Sequence, residues 1–204
     1  MRADRIPLNS GESDRGEQMD PRTEVAIVVV IAIIALLMIA WLVVRKQRSA
    51  RLRRHFGPEY GSAVREVGPA RADAMLLERE KRVEKFSLRA LAPDERERFI
   101  TEWSLVQSRF VDDPQGAVTE ADLLVDKVMQ ARGYPMTDFK QRAADISVDH
   151  PHVVANYRAA RLIALRQREG QATTEDLRQA MIYYRSLFDD LLETAPVTHK
   201  REVA

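Results

Sequence analysis

The sequence predicts an all-α protein with one N-terminal transmembrane helix, a charged helical stalk and an antiparallel bundle of about five helices. Three observations predict it. Val25 to Val44 reads VAIVVVIAIIALLMIAWLVV, with no charge, glycine, proline or hydroxyl. Beyond it, apolar residues recur at helical spacing and no stretch alternates with period two. Prolines and glycines then cut the remainder into segments of helical length.

Residues 1–24 hold four arginines against six acids and few large apolar groups, so they are expected to form a disordered tail. The run 25–44 follows. At about 1.5 Å per residue it spans the roughly 30 Å hydrocarbon layer of a bilayer. A cleaved signal peptide needs a basic start, a shorter apolar core and a small-residue cleavage site, and none fits here. The run has no glycine, its alanines never recur at a spacing of four, and it carries no ionisable or amide side chain. It therefore lacks a small-residue packing seam and the polar groups that transport within the bilayer would require. The span reads as an uncleaved tether.

A basic collar comes next: Arg45, Lys46, Arg48, Arg51, Arg53 and Arg54, with no acid among them. Basic residues beside a span are retained in the cytoplasm, which places the amino tail outside and residues 45–204 inside. Trp41, one turn earlier, suits the interfacial aromatic belt and is the expected interfacial anchor. Each collar residue also attracts anionic lipid headgroups, by about 1 kcal/mol near the surface. Nucleic acid is not an expected partner, because residues 55–204 hold 22 basic against 25 acidic groups and offer no basic excess to a duplex.

The stretch 45–90 is thin in large apolar groups and is expected to be the stalk. Leu76, Val83 and Phe86 keep a heptad-like spacing that Arg79 interrupts, so a solvated helix with Glu78 four residues before Arg82 is the expectation there. Residues 91–194 form the expected bundle domain. Pro58, Pro69, Pro93, Pro114 and Pro151 each sit where a helix has its first turn, a position that tolerates the missing N–H. Arg132-Gly133-Tyr134-Pro135 and Glu169-Gly170 mark helix ends, and Thr173-Thr174-Glu175-Asp176 has the form of a capping box. These signals predict helices near 58–67, 70–86, 93–110, 114–132, 137–147, 151–168 and 174–194.

The expected core stripes are Phe99, Trp103, Val106 and Phe110; Ala117, Ala121, Leu124, Val128 and Ala131; Val154, Tyr157, Ala160 and Ala164; and Leu177, Met181, Tyr184, Phe188 and Leu191. Residues 195–204, starting at Ala195-Pro196, are expected to be a second disordered tail.

Chemistry is mostly excluded. The chain has no cysteine, so disulfides, thiolate metal sites and cysteine nucleophiles are absent. Phosphate-binding loops, zinc-protease and serine-hydrolase motifs are missing too, and neither an enzyme nor a cofactor is expected. Asp149-His150-Pro151-His152 clusters three metal-ligand types in four residues, but not at the spacing of helix-borne ligands, so Asp149 and His150 read as groups at a helix start and no metal is expected. Asp112-Asp113 reads as an N-cap pair. Asp189 and Asp190 point about 100° apart on a helix and cannot share a cleft as an acid–base dyad. In Tyr183-Tyr184, one ring belongs to the core stripe and the other to its edge.

Several strings carry a resemblance: Arg54-His-Phe-Gly-Pro-Glu-Tyr60, Pro93-Asp-Glu-Arg-Glu-Arg98 followed by Trp103, Arg109-Phe-Val-Asp-Asp-Pro114, Arg132-Gly-Tyr-Pro135, the stretch from Gln141 to Pro151, and Thr174-Glu-Asp-Leu-Arg-Gln-Ala-Met181. With the span and collar they resemble a family of uncharacterised bacterial single-span membrane proteins with a helical cytoplasmic region. The resemblance implies this architecture and a bacterial inner membrane, and it implies no activity or site residues. The function expected from these observations is a membrane-tethered interaction or scaffold protein that binds another protein. The alternative is a small-ligand binder or enzyme with a pocket around Trp103, Tyr134 and Tyr157.

Overall fold

The computed structural model describes residues 21–193; of the expected tails, 1–20 of the first and all of 195–204 lie outside them, as does Thr194 at the end of the expected bundle. Eight helices and no strand occur among the described residues. The chain divides after Gln47 into two compact units.

In the first unit, α1 (Pro21–Phe56) begins four residues before the apolar run, so Pro21 to Glu24, expected in the disordered tail, are helical. The first turn of a helix accepts proline because its N–H has no intrahelical acceptor there. From Val29 to Val44 every residue is exposed. This helix is long and apolar enough to cross a membrane, with a mean hydropathy of 2.5 over its most apolar window.

The second unit holds the last residues of α1, from Arg48, and then α2 (Pro58–Val67), α3 (Pro69–Val83), α4 (Pro93–Arg109), α5 (Pro114–Ala131), α6 (Phe139–Asp149), α7 (Val154–Arg168) and α8 (Thr174–Glu193). Pro58, Pro69, Pro93 and Pro114 occupy first turns as their sequence positions predict. Asp113 caps α5 by accepting the Gly116 N–H at 2.9 Å. At α8 the capping box is complete: Asp176 N–H donates to Thr173 Oγ1 at 3.1 Å and Thr173 N–H donates to Asp176 at 2.9 Å.

Gly133 (φ +92°) ends α5 in the left-handed region, and a side chain there would run into the Ser87 carbonyl. Pro151 departs from the pattern. It lies in a turn, and α7 starts only at Val154, so Asp149 and His150 close α6 instead of opening α7. The His150 carbonyl accepts from the N–H groups of Val153 and Val154, both at 3.3 Å, and this turn replaces the expected first helical turn.

The larger core collects α4, α5, α7 and α8 with part of α6, and every residue of the expected stripes is buried in it except Phe110 and Ala131, which are half-buried. Trp103 stacks on Phe188 with ring centroids 4.7 Å apart.

A second core overturns the expected stalk. Leu52 and Phe56, both fully buried, pack with Tyr60, Leu76 and Val83 of the same stretch and with Val148 of α6. The solvated-helix expectation for α3 fails with it: Arg79 lies on the buried face between Leu76 and Val83. Arg82 bonds Asp145 of α6 at 2.6 Å, not Glu78. Residues 48–83 are therefore part of the domain. Their large apolar side chains suffice because Leu52, Phe56, Tyr60, Leu76 and Val83 are buried and Val64, Val67, Met75 and Leu77 pack at the edge of the same core.

Candidate functional site

The charged residues inside the domain form three clusters. In the first, Glu59 of α2 is 4% exposed and receives Arg79 at 2.8 Å and both terminal nitrogens of Arg158 at 2.7 and 2.8 Å. Burial by itself would raise the Glu59 carboxyl, but the hydrogen bonds and charge of Arg158, joined by Arg79, outweigh it and hold the carboxyl below the usual range. Arg79 also donates to Ser147 at 3.0 Å. The cluster ties α2, α3, α6 and α7 together.

The second cluster lies along α5. Asp122 and Asp126, one turn apart, interrupt the second apolar stripe of that helix, Val118, Val125 and Met129. Asp122 accepts from Tyr184 at 2.9 Å and pairs with Arg161. Asp126 pairs with Arg142 at 3.2 Å and accepts from Tyr157 at 3.4 Å. Burial pushes the Asp126 carboxyl up, with the neighbouring Asp122 charge adding to the rise and Arg142 opposing it. Every arginine of α7 pairs with a carboxylate: Arg158 with Glu59, Arg161 and Arg168 with Asp122, and Arg166 with Asp176. Four arginines thus share three carboxylates, one of which Arg79 also uses, so a helix that looks basic in sequence is partly compensated by its surroundings.

The third cluster surrounds the end of α6. Asp149 accepts the Tyr134 hydroxyl at 2.7 Å, the buried His150 ring bonds Asp190 through Nδ1, and His152 lies beside Gly57. Asp189 meanwhile pairs with Arg185, so the two adjacent aspartates serve separate partners as their helical spacing requires. Arg132 is buried and donates to the Leu191 carbonyl at 2.7 Å, a cation at the negative end of α8.

The pocket expectation around Trp103, Tyr134 and Tyr157 falls on packed side chains. All three are buried members of the larger core, where stacking and internal hydrogen bonds occupy them. A groove of about 610 Å³ lies instead between α7 and α8, walled by Ala159, Leu162, Ile163, Gln179 and Tyr183 with Arg166 at its edge.

The collar is divided. Arg51 pairs with Glu80, and the Arg53 guanidinium lies 5.3 Å from the centre of the Tyr60 ring, so both serve the domain. Arg45 lies 5.3 Å from the centre of the Trp41 ring, which is itself exposed. Lys46, Arg48 and Arg54 are exposed and form no ion pair among the described residues.

Sequence reasoning missed Glu59, Arg79, Asp122, Asp126 and Arg142. One signal was legible: a charge inside an apolar stripe, as at Arg79 and Asp122. Its partner was not, since Glu59 and Arg158 are 99 positions apart.

No protein family, curated protein or solved structure matches the chain.

The buried phenols carry a pH consequence. Burial, followed by the Asp149 charge and hydrogen bond, pushes the Tyr134 hydroxyl far up; burial with Asp122 does the same to Tyr184, and burial with Asp126 to Tyr157. Unfolded, these groups ionise near 10, so above that pH the unfolded chain binds fewer protons than the folded one. Stability is expected to be intact below about pH 10 and to fall as pH rises further. Urea midpoints measured from pH 8 to 11 check this, and Tyr134→Phe should make the fall shallower.

Proposed function

We propose that the protein is a membrane-tethered scaffold whose helical domain, an antiparallel bundle at its centre, binds another protein at the cytoplasmic face of a bacterial inner membrane. The observation that carries this reading is the exposed apolar stretch of α1. Sixteen consecutive exposed apolar residues, Val29 to Val44, are unfavourable in water and favourable in lipid. The collar supports the orientation through the retention of basic residues in the cytoplasm, with Lys46, Arg48 and Arg54 available to anionic headgroups. The pairing of Arg158 with Glu59 and of Arg161 with Asp122, together with the slight acidic excess of residues 55–204, supports a protein partner over nucleic acid.

Crosslinking in intact cells tests the reading. A photo-reactive residue at exposed positions of the domain should capture a discrete protein that a span-only control does not capture. An identical pattern from both would refute it. The same strain tests orientation: a single cysteine at Gln171, in this cysteine-free chain, should react with an impermeant thiol reagent only after the membrane is opened.

The α7–α8 groove favours a second reading, a small-ligand binder, because its volume lies within the roughly 300–1,000 Å³ of ligand pockets. Metabolite screening by thermal shift separates the two. A specific shift abolished by Leu162→Arg supports the ligand, and a flat screen supports the scaffold.

A further inference from the structure

The domain has two hydrophobic cores that meet at Phe86 and Leu88. The smaller core is built from residues 52–83 and takes a single fully buried residue, Val148, from outside that stretch. The side-chain hydrogen bonds that join this stretch to α6 and α7 are charge-assisted: Arg158 to Glu59 at 2.7 and 2.8 Å, Arg82 to Asp145 at 2.7 Å, and Arg79 to Ser147 at 3.0 Å. Residues 87–92, between α3 and α4, carry no regular structure, and Phe86 before them and Leu88 among them touch both cores while only half-buried. Within residues 48–83 the packing is self-contained. Tyr60 donates to Asp73 at 3.0 Å, Ser49 bonds the same carboxylate, and Arg51 holds Glu80.

Separating two surfaces held this way returns charged groups to water, and the hydration they regain offsets much of the interaction lost. Splitting the larger core, with its stacked Trp103 and Phe188, regains nothing comparable. The two parts of the domain therefore differ in the free energy needed to open them, the condition for a unit that opens by itself.

We propose that residues 48–83 form a clasp that detaches from α6 and α7 and unfolds as one unit, the break falling at 84–92, while α4, α5, α7 and α8 stay folded. Opening uncovers Asp145, Ser147 and Val148 of α6 and Arg158 of α7. The ionic seam is the latch, and Glu59 is its centre.

Hydrogen exchange read by mass spectrometry on the full chain in lipid nanodiscs tests the clasp. Amides of 58–83 are expected to exchange as one block, at least about tenfold faster than the slowest amides of α5 and α8. Ile163→Val trims the larger core and should speed α5 and α8 severalfold while leaving the 58–83 block unchanged, because clasp opening does not disturb that contact. Glu59→Gln should speed the block by about tenfold or more. The proposal is overturned if the block exchanges no faster than α5 and α8 in the parent chain. It is equally overturned if Ile163→Val speeds the block by the same factor as α5 and α8, or if Glu59→Gln leaves the block unchanged.

Discussion

Glu59→Ala is expected to lower the stability of the domain by about 3–5 kcal/mol, the range for removing one partner of a buried ion pair. The loss comes less from the missing attraction than from what remains: Arg79, with a side chain only 10% exposed, would keep its charge with no carboxylate to meet it. Arg158 is about one-third exposed and can turn to water, so its share is smaller. Urea unfolding followed by circular dichroism, with the chain in detergent, measures the effect, and a loss below about 1 kcal/mol would mean that the cluster is solvated in solution. A companion variant separates charge from shape. Replacing Glu59, Arg79 and Arg158 together by Leu, Met and Met should recover most of the loss, since an apolar set of similar volume carries no desolvation penalty.

The second large effect is expected from the residues just after the collar begins. A fragment starting at Arg48 should fold with both cores, whereas one starting at Pro58 should lose the smaller core. Leu52 and Phe56 are fully buried there, and deleting a buried Leu or Phe side chain costs about 2–5 kcal/mol each. Their combined loss approaches the whole stability of a typical domain, about 5–15 kcal/mol. The shorter fragment also loses the Ser49 bond to Asp73 and the Arg51 pair with Glu80. Cooperative unfolding of both fragments at one urea midpoint would show that the smaller core contributes nothing. In the full chain, Phe56→Ala should lower stability by about 3–5 kcal/mol.

Much of this fold is legible in the sequence because its signals are local. Pro58, Pro69, Pro93 and Pro114 announce helix starts through the N–H they lack, and Gly133 announces an end through the left-handed backbone it alone adopts easily. The stripes from Phe99 to Leu191 are visible because a helix that buries one face must repeat its apolar residues every turn.

Charges within those stripes mislead. Arg79 reads as a break in an apolar pattern and His150 as a helix-start group, because each is judged against its neighbours in sequence. In the structure Arg79 meets a carboxylate 20 positions away, and His150 meets one 40 positions away. The same limit hid the smaller core. Leu52 and Phe56 stand among arginines, and the five buried large residues, Leu52, Phe56, Tyr60, Leu76 and Val83, form no recognisable stripe until they converge with Val148.

By itself, then, the sequence determined the helices and the apolar stretch long enough to cross a membrane, since both follow from spacing and side-chain type within a turn or two. Only the tertiary structure decided that residues 48–83 belong to the domain, that each α7 arginine meets a carboxylate, and that Trp103, Tyr134 and Tyr157 are buried in the larger core. Those outcomes depend on which distant carboxylates and rings come within a few ångströms, a property of packing that no local pattern encodes.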